Sequence, residues 1–455
     1  MLTTETQHVE SSWLEAFLSD ERFWPAEPKT LEETGLPPNL VESLIFKHLA
    51  TAGNASGRRI AEWICLPFRV LEDLLAALRT QQLIVHTGAA PFNDFYYILT
   101  EQGLQRAKAA RTACAYVGPA PVQLNDYIIS VEAQCISSES PTDEQLAAAC
   151  ADISVDERLF DFIGPAVNSG AGMFLYGAAG NGKSTLARAI TLSFGQEIWI
   201  PRTIVEDGQL IKLFDSACHV QVQDSESGML RSQAADRRWV RIRRPTVTVG
   251  GELTMDNLDL RHDPATHVTE ASLQMKSNCG CLVIDDFGRQ RINAVELLNR
   301  WIVPLEEKHD FLTLATGKKI RVPFEQLIIF STNLEPRDLV DEAFLRRIPY
   351  KIELKDPTEE EFFKLFATYA QKLGFEYRRD AVERLLERHY RPNNRALRRC
   401  HPRDLLKQVQ SYCRYKGFPP EMRAEYFDGV CRSYFSLVFG ESPSGPRPSH
   451  VNDVN

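Results

Sequence analysis

The chain has 455 residues, 44% hydrophobic and 25% charged, with a formal net charge of −9. That length exceeds one compact core and predicts two or three domains of ordinary soluble composition. The negative balance excludes a global field that would draw the chain onto nucleic acid, so any such contact must come from a local basic patch. No apolar run approaches membrane-spanning length, and the residues after Met1 lack the basic and apolar regions of a signal peptide. The ten cysteines show no metal-ligand spacing. The close pair Cys279 and Cys281 reads as buried free thiols, and a reduced cytoplasm is the expected location.

Residues 1–34 form an acidic arm: Glu5, Glu10, Glu15, Asp20, Glu21, Glu27, Glu32 and Glu33 stand against Arg22 and Lys29. Trp13, Phe17, Phe23 and Trp24 are interleaved, and they are expected to dock on the chain's own surface.

Residues 35–115 read as a small separate domain. Helices are predicted over Asn39–Thr51 and Arg58–Ile64, and a third carries Leu71, Leu74, Leu75 and Leu78 at helical spacing. Strands follow at Leu83–His86 and Phe95–Leu99 around a Gly88–Asn93 tip, and Thr100 caps a last helix. Three helices and a two-stranded wing resemble a winged-helix domain. That resemblance implies DNA binding, but the charges favour a protein-interaction module. Glu72 and Asp73 sit beside Arg69 and Arg79 on the presumed recognition helix, and the tip carries no Lys or Arg. Residues 116–149 read as a linker, stiff at Pro119 and Pro121 and polar over Ser137–Pro141.

An ATPase core is expected over residues 150–356. It opens on an apolar strand, Met173–Tyr176, followed by Gly177-Ala178-Ala179-Gly180-Asn181-Gly182-Lys183-Ser184-Thr185 and a helical run. Strand, glycine loop and helix together wrap a phosphate with backbone N–H groups and a helix N-terminus. Lys183 can reach the β- and γ-phosphates of ATP, and Ser184 can offer its hydroxyl to Mg²⁺. A second apolar strand, Leu282–Ile284, ends in Asp285 and Asp286. The first carboxylate suits the Mg²⁺ sphere, and the second can orient an attacking water. A third strand, Leu327–Phe330, ends in Ser331-Thr332-Asn333, and Arg346-Arg347 follow.

Between the loop and the second strand, residues 201–275 read as an insertion. It holds Arg237, Arg238, Arg241, Arg243 and Arg244 with Trp239. Arginines around an aromatic can hold single-stranded nucleic acid; the alternative is an edge strand, Trp239–Val249, with basic outward residues. A helix bearing Val295, Leu298, Ile302 and Leu305 leads into a β-hairpin, Phe311–Leu314 and Lys318–Val322, turning at Gly317. Amphipathic runs such as Phe362–Tyr369 and Ala381–His389 then predict a helical lid over 357–436, within which Arg403 opens a helix. Residues 437–455 are expected to be a disordered tail.

This ordered set resembles the AAA+ ATPases, and the hairpin resembles their pre-sensor-1 hairpin clade, which includes MoxR-type ATPases and magnesium chelatase subunits. The resemblance implies an α/β P-loop NTPase fold with a helical lid, an ATP- and Mg²⁺-dependent enzyme and a homo-oligomeric ring, expected to be a hexamer. It implies sensor roles for Asn333 and Arg403, and an arginine finger at Arg346 or Arg347 offered to a neighbouring subunit. Asp286 stands where the clade usually has Glu, which implies slower turnover. The expected function is remodelling of a protein client. The alternatives are a DNA-directed ATPase and an ATP-gated scaffold with little turnover.

Overall fold

The computed structural model describes residues 22–136, 141–150, 157–195, 197–222, 234–339 and 342–438. It divides into two compact units. One comprises Met1–Tyr176 with Ser184–Glu353, and the other Gly177–Lys183 with Leu354–Asn455.

The first unit is built on a five-stranded parallel sheet. Its strands are β1 (Met173–Tyr176), β2 (Thr246–Val249), β3 (Cys281–Ile284), β4 (Leu327–Thr332) and β5 (Tyr350–Glu353), in the spatial order β2-β3-β4-β1-β5. A parallel sheet covered on both faces needs near-continuous apolar strands, and here every residue of β3 and β4 is buried. Phe174, Phe287 and Phe330 meet in one aromatic cluster, with Trp301 against Phe330. The register pairs Ile284 with Phe330 and Thr332 with Tyr176. The residues just beyond β3 and β4 therefore emerge at the carboxyl edge of the sheet, where open α/β sheets carry their ligands.

Residues 35–115 form helices Pro38–Ala52, Gly57–Ile64, Phe68–Thr80 and Glu101–Ala113 with a three-stranded antiparallel sheet. The third strand, Ala55–Ser56, is too short for alternation to reveal it. The strand Ile84–Ala90 also runs through the stretch expected as the tip. Buried Asp94 accepts hydrogen bonds from the N–H groups of Gly57 and Arg58 at 3.1 and 2.8 Å, which fixes the second helix on the sheet.

Three expectations change. The stretch 116–149 is not a free linker: Val122–Gln123 pairs with Thr203–Glu206, and the helix Leu124–Ala133 buries Leu124, Tyr127 and Val131 in the core. Their i, i+3, i+7 spacing is a helical stripe. Asn278 donates to the Tyr127 hydroxyl at 2.8 Å. Residues 137–140 lie outside the described set. Second, Trp239–Val249 is not one edge strand. Trp239–Arg243 pairs antiparallel with Glu197–Pro201, whereas Thr246–Val249 is β2 of the parallel sheet. The break falls at Arg244-Pro245, where proline offers no N–H to continue a ladder. The insertion therefore does not run unbroken over 201–275, because the core sheet interrupts it. Third, the last helix, Ala424–Val438, extends past the expected start of the tail, and residues 439–455 lie outside the described set.

Other expectations hold. Phe23 packs on Trp239 and Trp24 on Trp199, with ring centroids 5.1 and 5.6 Å apart, so these aromatics of the acidic arm dock on the chain itself. Trp13 and Phe17 lie outside the described residues. The hairpin is present as His309–Thr313 against Lys319–Pro323, with Gly317 at φ +85° in its turn. Its tip is tied down. Lys318 pairs with Glu206 at 3.0 Å, and the Ala315 N–H donates to the Gln209 side chain at 2.9 Å.

The second unit holds helices Glu359–Lys372, Arg379–Leu385, His401–Lys416 and Ala424–Val438 around a core that includes Phe362, Phe366, Tyr390, Leu405, Phe427 and Phe435. Thr358 and Glu361 close a capping box at its first helix.

Candidate functional site

The glycine loop belongs to the second unit. Gly177, Gly180 and Gly182 have φ of +134°, +83° and +87°, conformations that side chains strain to adopt. A Cβ on Gly177 would also sit 2.4 Å from the Leu354 carbonyl oxygen, so the loop lies flat on the chain that opens the helical unit. Asn181 is buried. Its amide donates to the Asp356 carboxylate at 2.7 Å and to the Leu354 carbonyl at 3.3 Å, and Arg398 pairs with the same carboxylate. The Cys400 N–H donates to the Gly180 carbonyl at 2.9 Å. Lys183 is buried, and its ammonium donates to the carbonyls of Gly177 and Ala178 at 2.9 and 3.1 Å. Arg403 lies three residues beyond Cys400 in the same unit, exposed, with its guanidinium on Asp404 at 2.8 Å. The loop and Arg403 therefore share one compact unit. Asp356 and Arg398 were not singled out from sequence, because nothing local marks a carboxylate 175 positions away as the partner of Asn181.

The first unit carries a cluster of carboxylate, hydroxyl and amide side chains at the ends of β3 and β4. The Ser184 hydroxyl donates to one Asp285 oxygen and the Ser331 hydroxyl to the other, each at 2.8 Å. Beside them the Asn333 amide donates to Asp286 at 3.2 Å. Asp285 is half-buried and Asp286 exposed. Among the described residues no group of three or more His, Cys, Asp or Glu side chains could hold a metal alone. One serine hydroxyl and one carboxylate do suit Mg²⁺, which takes oxygen ligands and keeps several waters and substrate phosphates around it. Ser331, the penultimate residue of β4 and two positions before Asn333, carries no role in the sequence reading.

Arg346 and Arg347 part company. Arg347 pairs with Glu306 at 2.7 Å and lies over the Phe344 ring, while Arg346 is exposed. The basic cluster divides too. Arg238 is buried against Asp236 at 2.7 Å and donates to the carbonyls of Thr34 and Pro121. Arg244 is buried and donates to the carbonyls of Gln134 and Cys279 at 2.9 and 2.7 Å. Arg241 pairs with Glu197 at 2.7 Å. A nucleic-acid surface through all five arginines is therefore overturned for Arg238 and Arg244, which hold the fold together. Arg237 and Arg243 are exposed. Cys279 and Cys281 are buried thiols, both pushed up to about 12 by burial, and so are unsuited to thiolate chemistry.

A parallel sheet whose first strand runs into Gly177–Thr185, with paired acids at the end of β3, is an α/β P-loop NTPase fold. Among described residues no helix is long and apolar enough to cross a membrane. A family model described as a domain of unknown function (DUF8689) matches residues 358–433, in the helical unit. No curated protein matches the chain. Among solved structures the chain is similar to the Thermotoga maritima RuvB Holliday junction branch migration motor, at 14% identity and TM-score 0.35, over 61% of this chain and 69% of that one. It is similar to NtrX from Brucella abortus at 15% identity and TM-score 0.37, over 72% of this chain and 58% of that one. NtrX from the same organism in complex with ATP gives 14% and 0.36, over 78% and 68%.

Proposed function

We propose that the chain is a Mg²⁺-dependent ATPase of the AAA+ type. The observation that carries the reading is the pairing of Ser184 and Ser331 with Asp285 beside that of Asn333 with Asp286. Phosphoryl transfer needs little covalent chemistry from the protein; it needs positioning and charge neutralisation. Gly177–Lys183 would hold the phosphates, with Lys183 as their point charge. Ser184 and Asp285 would hold Mg²⁺, which supplies charge neutralisation at the phosphate oxygens. Asp286 would orient the attacking water and take its proton, with Asn333 fixing the carboxylate that does so. Arg403 would meet the phosphates from its helix, and Arg346 would serve a neighbouring subunit in a ring.

A protein client is favoured over DNA. Two of the five clustered arginines are committed to buried partners. Residues 35–115, which we take to be a winged-helix module, expose Phe92 and also Val85, Phe95 and Tyr96, the apolar kind of surface that suits a protein contact. The decisive experiment is Asp286→Asn. It should keep ATP binding and lose turnover, since an amide cannot accept the proton of the water. Turnover at the wild-type rate in that variant would sink the assignment. Failure of wild-type protein to turn over ATP at all would leave a nucleotide-gated scaffold.

A further inference from the structure

Asp286 is held in a conformation uncommon outside glycine, though aspartate tolerates it better than most side chains. Its φ is +50°, in the left-handed region, and it sits at the exposed end of β3. Such a residue persists only where its surroundings over-determine it. The surroundings here are specific. The Gln290 amide donates to the Asp285 carbonyl at 2.8 Å and to the Asp286 carbonyl at 3.1 Å. Its oxygen accepts the N–H of Gly288 at 2.8 Å. This side chain thus braces the turn from Asp285 to Gly288, together with the Arg289 N–H, which donates to the Asp286 carbonyl at 3.0 Å. Gly288 itself has φ +96°, and a Cβ there would lie 2.6 Å from a Leu339 methyl. The turn is anchored to β4 as well, because the Phe287 N–H donates to the Ser331 carbonyl at 2.7 Å and the Thr332 hydroxyl to the Phe287 carbonyl at 3.1 Å.

We infer that Gln290 is a positioning residue for hydrolysis: it holds the backbone of Asp286 left-handed, so that the short carboxylate meets the Asn333 amide and points at the water. The inference rests on the reading of Asp286 given above. Its physical basis is the donor count. Two carbonyls of the turn converge on one side-chain amide, whose two N–H donors and one acceptor match all three partners; the Asp286 carbonyl shares that amide with the Arg289 N–H, while Gln290 serves the Asp285 carbonyl and the Gly288 N–H. Aspartate is one methylene shorter than glutamate and has one torsion fewer, so it has less freedom to offset an error in its backbone direction. Catalytic geometry is sensitive to such errors.

The test uses the full chain. Gln290→Glu keeps the shape but removes both donors and sets a negative charge against two carbonyls. Gln290→Met keeps the volume and removes all three hydrogen bonds. Each should lower kcat roughly 10–100-fold while the dissociation constant for ATP and the melting temperature stay near wild type. In a double-mutant cycle, Asp286→Asn combined with Gln290→Glu should be no slower than Asp286→Asn alone, because both act through one carboxylate. Wild-type kcat in either Gln290 variant, additive losses in the cycle, or equal losses of nucleotide affinity and kcat would each overturn the inference. Should Asp286→Asn itself turn over at the wild-type rate, the proposed role of Asp286 fails instead, and the two failures are told apart by that single variant.

Discussion

Acid should loosen the C-terminal helical unit through one histidine. His401 is 3% exposed, its ring set among Tyr390, Tyr434 and Phe435, with Nδ1 on the Tyr390 hydroxyl at 2.9 Å. Burial, helped by Arg398 and Arg395 and opposed by Asp404 and Asp356, lowers its pKa to about 4. An unfolded histidine titrates near 6.5, so below that pH the unfolded chain takes up a proton that the native unit refuses. Stability is therefore complete above about 6.5 and declines as pH falls toward 4. The pKa gap corresponds to about 2 kcal/mol lost by pH near 5 and about 3 kcal/mol below pH near 4. Hydrogen–deuterium exchange of peptides from residues 354–438 reads this locally, after correction for the pH dependence of intrinsic exchange. Wild type should lose protection on going from about pH 7.5 to about 5, with the steepest loss in the helix His401–Lys416. His401→Gln does not titrate and should lack that extra loss. Equal pH dependence in wild type and His401→Gln would refute the argument.

Four other outcomes are expected. Arg346→Ala should cut turnover by roughly 10³–10⁵ without affecting stability, while Arg347→Ala, losing a partly exposed pair with Glu306, should cost under about 1 kcal/mol and leave turnover high; the reverse pattern would make Arg347 the finger. Light scattering with a non-hydrolysable ATP analogue should show assembly, and a strict monomer with full turnover would end the trans-finger idea. Arg238→Ala should destabilise by about 3–5 kcal/mol, because it strands Asp236 in the interior, whereas exposed Arg243→Ala should stay within about 0.5 kcal/mol; equal melting temperatures would contradict the burial argument. Fluorescence anisotropy of the full chain on a randomised duplex pool should give dissociation constants no tighter than about 10⁻⁴–10⁻⁶ M at physiological salt. Nanomolar selection of one sequence would instead promote the DNA-directed reading.

What the sequence determined by itself was local. The loop Gly177–Ser184 is legible because three positive-φ positions need glycine and the flanking strand and helix have different periods. Leu282–Ile284 and Leu327–Phe330 are legible as buried strands because both faces must be apolar, and Asp285, Asp286 and Asn333 stand out as polar groups at their ends. The hairpin turning at Gly317 and the amphipathic helices of the C-terminal unit follow from the same local rules. Partnership was decided only by the tertiary structure. Arg238 reads as a surface cation until Asp236 folds onto it and the Thr34 carbonyl arrives from 204 positions away. Trp239–Val249 reads as one strand until its halves pair in two different sheets. Ser331 on Asp285, Gln290 closing the Asp286 turn and Asp356 between Asn181 and Arg398 leave no pattern in sequence. A hydrogen-bond donor looks the same in the chain whether its acceptor is water, a phosphate or a distant carbonyl, and only the packing that removes the water decides which it meets.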